Sequence, residues 1–305
     1  MAPSPRPSDA AGRRVNSSHV LVQALISGLL SGWLYALIAI GLTLVFGVMR
    51  VVNFAHGDFL MLAMYGAFFA FSLWGVDPTW SVFLMLPAMG LVGALLYKLI
   101  LRHIVGKPEL SSMAVLLGVG LLMQNLALMV FKADNLVVNT EWTNRAFNIG
   151  FLSIQLPHAL AALAAMVLIA ALWGLLRFTD LGVMMRAVSQ SPEGAALSGI
   201  NFHRISLWTT VIGIATLGVA GPLLVSMLYV NPTVGVQFTL IAFVAVIAGG
   251  LGNFFGAVVA GIAVGVTERV AGIWLPASLA AAIPFVLLVV VMLWRPEGLL
   301  VARKS

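Results

Sequence analysis

Apolar residues run along this chain in unbroken stretches, and the polar residues collect in short segments between them. Such runs favour helices over the period-2 alternation of a half-buried strand. A membrane-crossing helix needs about 20 predominantly apolar residues. Stretches of this kind lie at Val20–Gly41, Asp58–Trp74, Thr79–Leu99, Ser111–Phe131, Ala159–Leu176, Ile205–Val225, Phe254–Val270 and Ala277–Leu293. A ninth, Phe238–Ala248, is too short to cross unaided and reads as broken or tilted. The fold class expected is all-α, a polytopic transmembrane bundle of about 8–10 segments, some broken or re-entrant.

Composition agrees, with 61% hydrophobic and 9% charged residues against roughly 45–50% and 25% in soluble domains. The first apolar run is too long for the roughly 7–15-residue core of a cleaved signal peptide. Residues 1–19 read as a disordered cytoplasmic tail, 20–294 as the membrane domain with a cytoplasmic loop at 177–204, and 295–305 as a cytoplasmic C-terminal tail. The net charge of +6 comes from basic residues scattered between apolar runs, which argues for topology and against nucleic acid. Absence of cysteine excludes disulfides and thiolate metal sites.

Short loops rich in Lys and Arg face the cytoplasm. Lys98, Arg102 and Lys107 mark one, Arg177, Arg186 and Arg204 a second, and Arg295, Arg303 and Lys304 the C-terminal tail. Counting back from a cytoplasmic C-terminus leaves two arrangements. Either the N-terminus lies outside despite Arg13 and Arg14, or Leu42–Asp58 forms an additional broken or re-entrant element; the second is favoured. Polar sequence at Arg50–Asp58 sits between apolar helices, where non-helical backbone is tolerated only if it lines protein or water.

Several chemistries lack their motifs. Gly106-Lys107 precedes Pro108, so no phosphate-binding Walker loop is present, and there is no zinc-protease helix or nucleophile elbow. Ionisable residues within spans are costly and direct attention to function. Asp58 reads either as a cap in the positive end of a half-helix or, with Asn53 and His56, as part of a transport cavity at a helix break. Glu268-Arg269 reads as an ion pair or a snorkelling rim pair. Glycine pairs Gly28/Gly32, Gly252/Gly256 and Gly261/Gly265 allow close helix contact.

In the 177–204 loop, Ser191-Pro192-Glu193 gives a helix start, Ala195, Ala196 and Leu197 continue it, and Gly199 supplies a left-handed stop. A short helix with small exposed residues between two spans suits insertion into a groove of a soluble partner, and an ordinary connector between the spans fits the residues equally well.

Separated motifs now converge. Tyr35–Gly41 followed by Val51–Asp58, with Asn53-Phe-Ala-His-Gly57 at its centre, resembles the N-terminal signature of permeases of branched-chain amino-acid ABC transporters. Arg186-Ala187 with Glu193–Ile200 is similar to that family's coupling loop, with Gly194 where alanine is usual. Asn231-Pro232, Ala248–Ala257 and Arg295–Gly298 complete the resemblance. It implies a bacterial inner-membrane permease subunit that hydrolyses no ATP itself, needs no cofactor, and works with two ATPase subunits, a second related permease and an external substrate-binding protein. It further implies coupling to the ATPase through Arg186, Glu193, Ala195, Ala196, Gly199 and Ile200. Asn53, His56, Gly57, Asp58 and Asn253 are the expected substrate-pathway residues. Urea or amide importers share the architecture, and an ion-coupled secondary transporter or an intramembrane enzyme are the further alternatives.

Overall fold

The computed structural model describes residues 17–295 and Gly298, apart from Glu141, Trp142, Asn144 and Phe151. The expectations for the tail before Ser17, for Arg303 and Lys304 and for Pro296-Glu297 lie outside the described residues. In chain order come α1 (Ser17–Met49), α2 (His56–Trp74) and α3 (Pro78–Leu96). A π-helical turn (Tyr97–Leu101) runs on into α4 (Arg102–Ile104), followed by α5 (Glu109–Phe131). A hairpin of β1 (Ala146–Ile149) and β2 (Leu152–Gln155) leads to α6 (Leu156–Phe178), α7 (Asp180–Gln190) and α8 (Pro192–Leu197). Then follow α9 (Phe202–Ala215), α10 (Leu217–Val225), α11 (Val234–Gly249), α12 (Phe254–Ala271), α13 (Ala277–Ala280) and α14 (Ile283–Trp294).

Among the described residues, seven helical stretches are long and apolar enough to cross a membrane, and Val234–Gly249 and Ser278–Trp294 are shorter apolar helices. One of the seven combines α9 and α10 as Phe202–Val225. Its path is interrupted at Thr216, and farther along, inside α10, Pro222 lacks a backbone donor. Thr216 Oγ1 donates to the Gly213 carbonyl at 2.8 Å, so the break is satisfied locally, as a water-free interior requires.

Burial divides the helices into centre and periphery. The most apolar windows of α1 and of Phe202–Val225 are each 78% buried, whereas that of α5 is 17% buried. α5 therefore presents leucines such as Leu121, Leu122 and Leu126 outward, as a lipid-facing or partner-facing helix does.

At the heart of the bundle α1 and α12 lie antiparallel and almost backbone to backbone. A Cβ added at Gly32 would stand 2.7 Å from the Ile262 Cα, and one at Gly261 would stand 2.6 Å from the Ala36 Cα. Glycine is required because any side chain would push the helices apart. The packing reading of Gly28/Gly32 and Gly261/Gly265 thus holds, whereas Gly252, with φ 80°, belongs to the turn before α12 and not to a helix face shared with Gly256.

The two ends of α1 meet different elements. Near its start, Gln23 Nε2 donates to the Ser153 carbonyl at 2.7 Å and Gln23 Oε1 accepts from Ser153 N at 3.1 Å, which places that end beside the hairpin. Near its finish, Gly47 approaches Gly252 and Ser189, beside α7. One uninterrupted helix thus links opposite ends of the bundle. The start of α1 and the α7–α8 segment thus lie at opposite ends of the bundle.

Candidate functional site

After Met49 the chain reverses. Arg50 adopts φ 52°, and Val51, Asn53 and Ala55 are buried as the backbone runs back into the bundle without helix. Asn53 Oδ1 accepts from Ala55 N at 3.1 Å, which shapes the turn into α2. His56 Nε2 meets the Ile38 carbonyl at 3.0 Å; a carbonyl only accepts, so this nitrogen carries the proton. Ile38 lies about 16 Å along α1 from Met49 at 1.5 Å per residue. α2 therefore begins inside the bundle, and the expectation of a broken element is met by this return segment rather than by an extra crossing.

At the same level α11 starts, and the two helix ends touch. Gly57 N donates to Thr239 Oγ1 at 2.9 Å, and that hydroxyl donates to the Gly235 carbonyl at 3.0 Å. A Cβ at Gly235 would stand 2.6 Å from the Gly57 carbonyl oxygen, so the crossing requires hydrogen at both positions. The short span around Phe238–Ala248 is therefore a helix that starts within the fold.

Asp58 does not cap α2. The residue preceding the helix, Ala55, makes no side-chain cap, and the Asp58 carboxylate instead accepts from Gln124 Nε2 of α5 at 2.9 Å. Asp58, Gln124 and Thr239, with Phe54 and Leu240, line a cavity of about 170 Å³. Asn53 and His56 are each 0% exposed, and their Nδ2 and Nδ1 atoms find no partner among the described residues. Asn253 lies elsewhere, as the cap of α12, with Oδ1 accepting from Gly256 N at 3.0 Å. Of the five residues expected on a pathway, Asp58 lines the cavity, Asn53, His56 and Gly57 lie in the return segment and first turn of α2 that lead to it, and Asn253 caps α12. Gln124, Thr239 and Gly235, which sequence reading missed, complete the arrangement.

The second candidate region is the α6–α9 connection. Thr179 Oγ1 accepts from Gly182 N at 3.2 Å to start α7, and Ser191 Oγ accepts from Gly194 N at 3.0 Å to start α8. Gly199 takes φ 78° while Ile200 N donates to the Ala195 carbonyl at 3.0 Å, a helix stop that a left-handed glycine permits. Ala195 is buried and Ile200 half-buried, so these two seat α8, whereas Glu193, Ala196 and Gly199 are exposed. Leu197, not singled out from sequence, is 91% exposed. Arg186 donates to the Leu176 carbonyl and, with Arg177, Trp173 and Phe255, lines a cavity of about 270 Å³ at the junction of α6, α7 and α12. α8 thus stands as a short knob on a pinned base.

Residues 24–292 match the family described as "Branched-chain amino acid transport system / permease component", a span that includes both the return segment and the knob. The chain belongs to this permease family. This permease is 30% identical over 297 residues to the high-affinity branched-chain amino acid transport system permease protein LivH of Escherichia coli (strain K12), covering 92% of this chain and 95% of that one. It is 31% identical over 293 residues to BraD of Pseudomonas aeruginosa, a protein with the same description, again with 92% and 95% covered. A more distant relative is the ribose import permease protein RbsC of Haemophilus influenzae, 27% identical over 243 residues, with 74% of this chain and 71% of the relative covered. No solved structure matches the permease. Its multi-pass helical build and its relatives make it a membrane transport subunit.

Proposed function

We propose that the chain is a pathway-forming permease subunit of an ATP-driven importer of branched-chain amino acids. Family membership over nearly the whole chain supports this reading, and the observation that carries it is the pinned, outward-standing α8 with Leu197 91% exposed. An apolar side chain this exposed, held on a capped helix between two spans, suits a hydrophobic groove on a soluble partner. In this reading the α7–α8 end faces the cytoplasm of the bacterial inner membrane and receives the ATPase subunits, and the C-terminus is cytoplasmic. Because α1 ends at that side, its start and the hairpin face outward, where a substrate-binding protein delivers its load.

Two ATPases, a second related permease and that receptor make up the working complex. Closure of the ATPases pulls α8, and α7, joined to α6 through Thr179 and the Arg186–Leu176 bond, transmits the displacement into the bundle. The Gly57–Gly235 crossing, where two helices start without covalent continuity across the bundle, is the place where the pathway changes access.

The test is purification of the full chain from its native membrane in mild detergent, with and without Leu197→Asp. Recovery of ATPase subunits with the natural chain and their loss with the variant supports the reading. Unchanged recovery with the variant removes α8 from the contact, and a natural chain that travels without any ATPase refutes the importer.

A further inference from the structure

A second polar cavity lies at the hairpin end of the bundle, remote from α8. It measures about 220 Å³ and is lined by residues of α1, α6, α10, α11, the connection between these last two, and α12. Clefts for drug-sized ligands occupy about 300–1,000 Å³, so this one suits a ligand as small as a single amino acid. One wall is aliphatic and aromatic: Leu34, Leu224, Met227 and Phe238. The other is polar, with Arg269, His158, Tyr35 and Ser31.

The polar wall is under-used by the fold. Arg269 donates from Nη2 to Ser31 Oγ at a long 3.4 Å. His158 Nδ1 is buried without a hydrogen-bond partner. Behind Tyr35, the Glu268 carboxylate sits against that phenol, and its Oε2 is likewise buried and unpartnered. Native proteins leave few buried polar atoms unpaired, and each one asks for an explanation.

A ligand carrying a carboxylate, an ammonium group and a compact apolar side chain matches the residues that line the cavity. Arg269 offers the forked donors that match a carboxylate. Tyr35, with Glu268 behind it, and His158 Nδ1 offer acceptors for an ammonium group, and the aliphatic wall takes the side chain. We infer that this cavity is an outer-side binding site for a zwitterionic aliphatic amino acid, occupied between release from the receptor and entry into the pathway. The inference deepens the proposed function and rests on it for the identity of the substrate.

The experiment uses the full chain in lipid nanodiscs and reads thermal stabilisation by L-leucine, by 4-methylpentanoate (no ammonium), by 3-methylbutylamine (no carboxylate), by L-glutamate and by phosphoethanolamine. Leucine alone should stabilise the chain strongly. Arg269→Gln should weaken the leucine response about tenfold or more, the expected cost of losing a charge-assisted pair. Met227→Trp, which fills the cavity from its apolar side, should do the same, and the ligand-free melting point of each variant shows whether it is folded. No response to leucine, an equal response to the single-charge analogues or to phosphoethanolamine, or an unaltered response in both folded variants overturns the inference. Leucine uptake by the complete complex is measured in parallel. Uptake without binding at this cavity refutes only the inference, whereas a complex that does not transport leucine refutes the functional reading beneath it.

Discussion

Replacing Gly57 with alanine tests the helix crossing at the centre of the fold. The new methyl group would overlap the Gly235 carbonyl oxygen and Thr239 Oγ1, and a backbone carbonyl cannot rotate away as a side chain can. Overpacking of this kind costs about 1–3 kcal/mol. Separating the helices also strains the 2.9 Å bond from Gly57 N to Thr239, worth about 1 kcal/mol. Against this stands alanine's helix preference, about 1 kcal/mol over glycine in a helix interior and less at a first turn. The net expectation is a loss of about 1–3 kcal/mol, seen as a lower melting point of the detergent-solubilised chain. Gly118→Ala is the control: nothing lies within 4 Å of its added Cβ, and the substitution should be neutral or stabilise by about 0.5–1 kcal/mol. Equal stability of Gly57→Ala and the natural chain, or equal destabilisation by both substitutions, would refute the crossing.

Other outcomes follow from the same geometry. Leu197→Asp should leave the melting point of the isolated chain unchanged while cutting ATP-driven uptake at least about tenfold, as loss of an interface hot spot does; Ala195→Asp, placing a charge at a buried seat, should instead lower the melting point. Asn253→Ala removes the cap of α12 and should cost about 1 kcal/mol in thermal or denaturant unfolding, with Asn253→Ser recovering most of it. Gln124→Ala leaves the Asp58 carboxylate without its partner and should cost about 1–3 kcal/mol. Asp58→Asn retains an acceptor for Gln124, so the melting point should stay near that of the natural chain while uptake by the complex falls. Normal uptake by Asp58→Asn would remove the charge from the pathway.

How far the sequence reaches depends on the range of the interaction. Apolar run lengths locate the spanning helices because crossing a bilayer is a property of one segment. Local chemistry also places α8, since Ser191 and Gly199 cap it within a few residues. What fails to appear is long-range. The partners of the Asn53–Asp58 segment are Ile38, Gln124, Gly235 and Thr239, on three other helices, and no period or spacing in one sequence announces them. The capping reading of Asp58 was reasonable for a residue after a helix start, but the carboxylate finds its partner across the bundle.

Charge counting favoured a cytoplasmic start for α1, and Arg13 and Arg14 supplied the argument. The Gln23–Ser153 pair at one end and the Gly47–Gly252 approach at the other fix α1 as a single passage, a constraint that only packing provides. Leu197 carried a readable signal: a leucine in a short, small-residue helix has no core of its own to enter.

In the proposed reading this chain is one of the two membrane subunits of an ATP-driven amino-acid importer. Reconstitution of the native complex in liposomes, with leucine-loaded receptor on one side and ATP on the other, tests it most directly. Leucine accumulation that needs ATP, the receptor and an intact α8, and that stops with Leu197→Asp, is the expected result. Leucine uptake by the chain alone, driven by an ion gradient and indifferent to ATP, would contradict it.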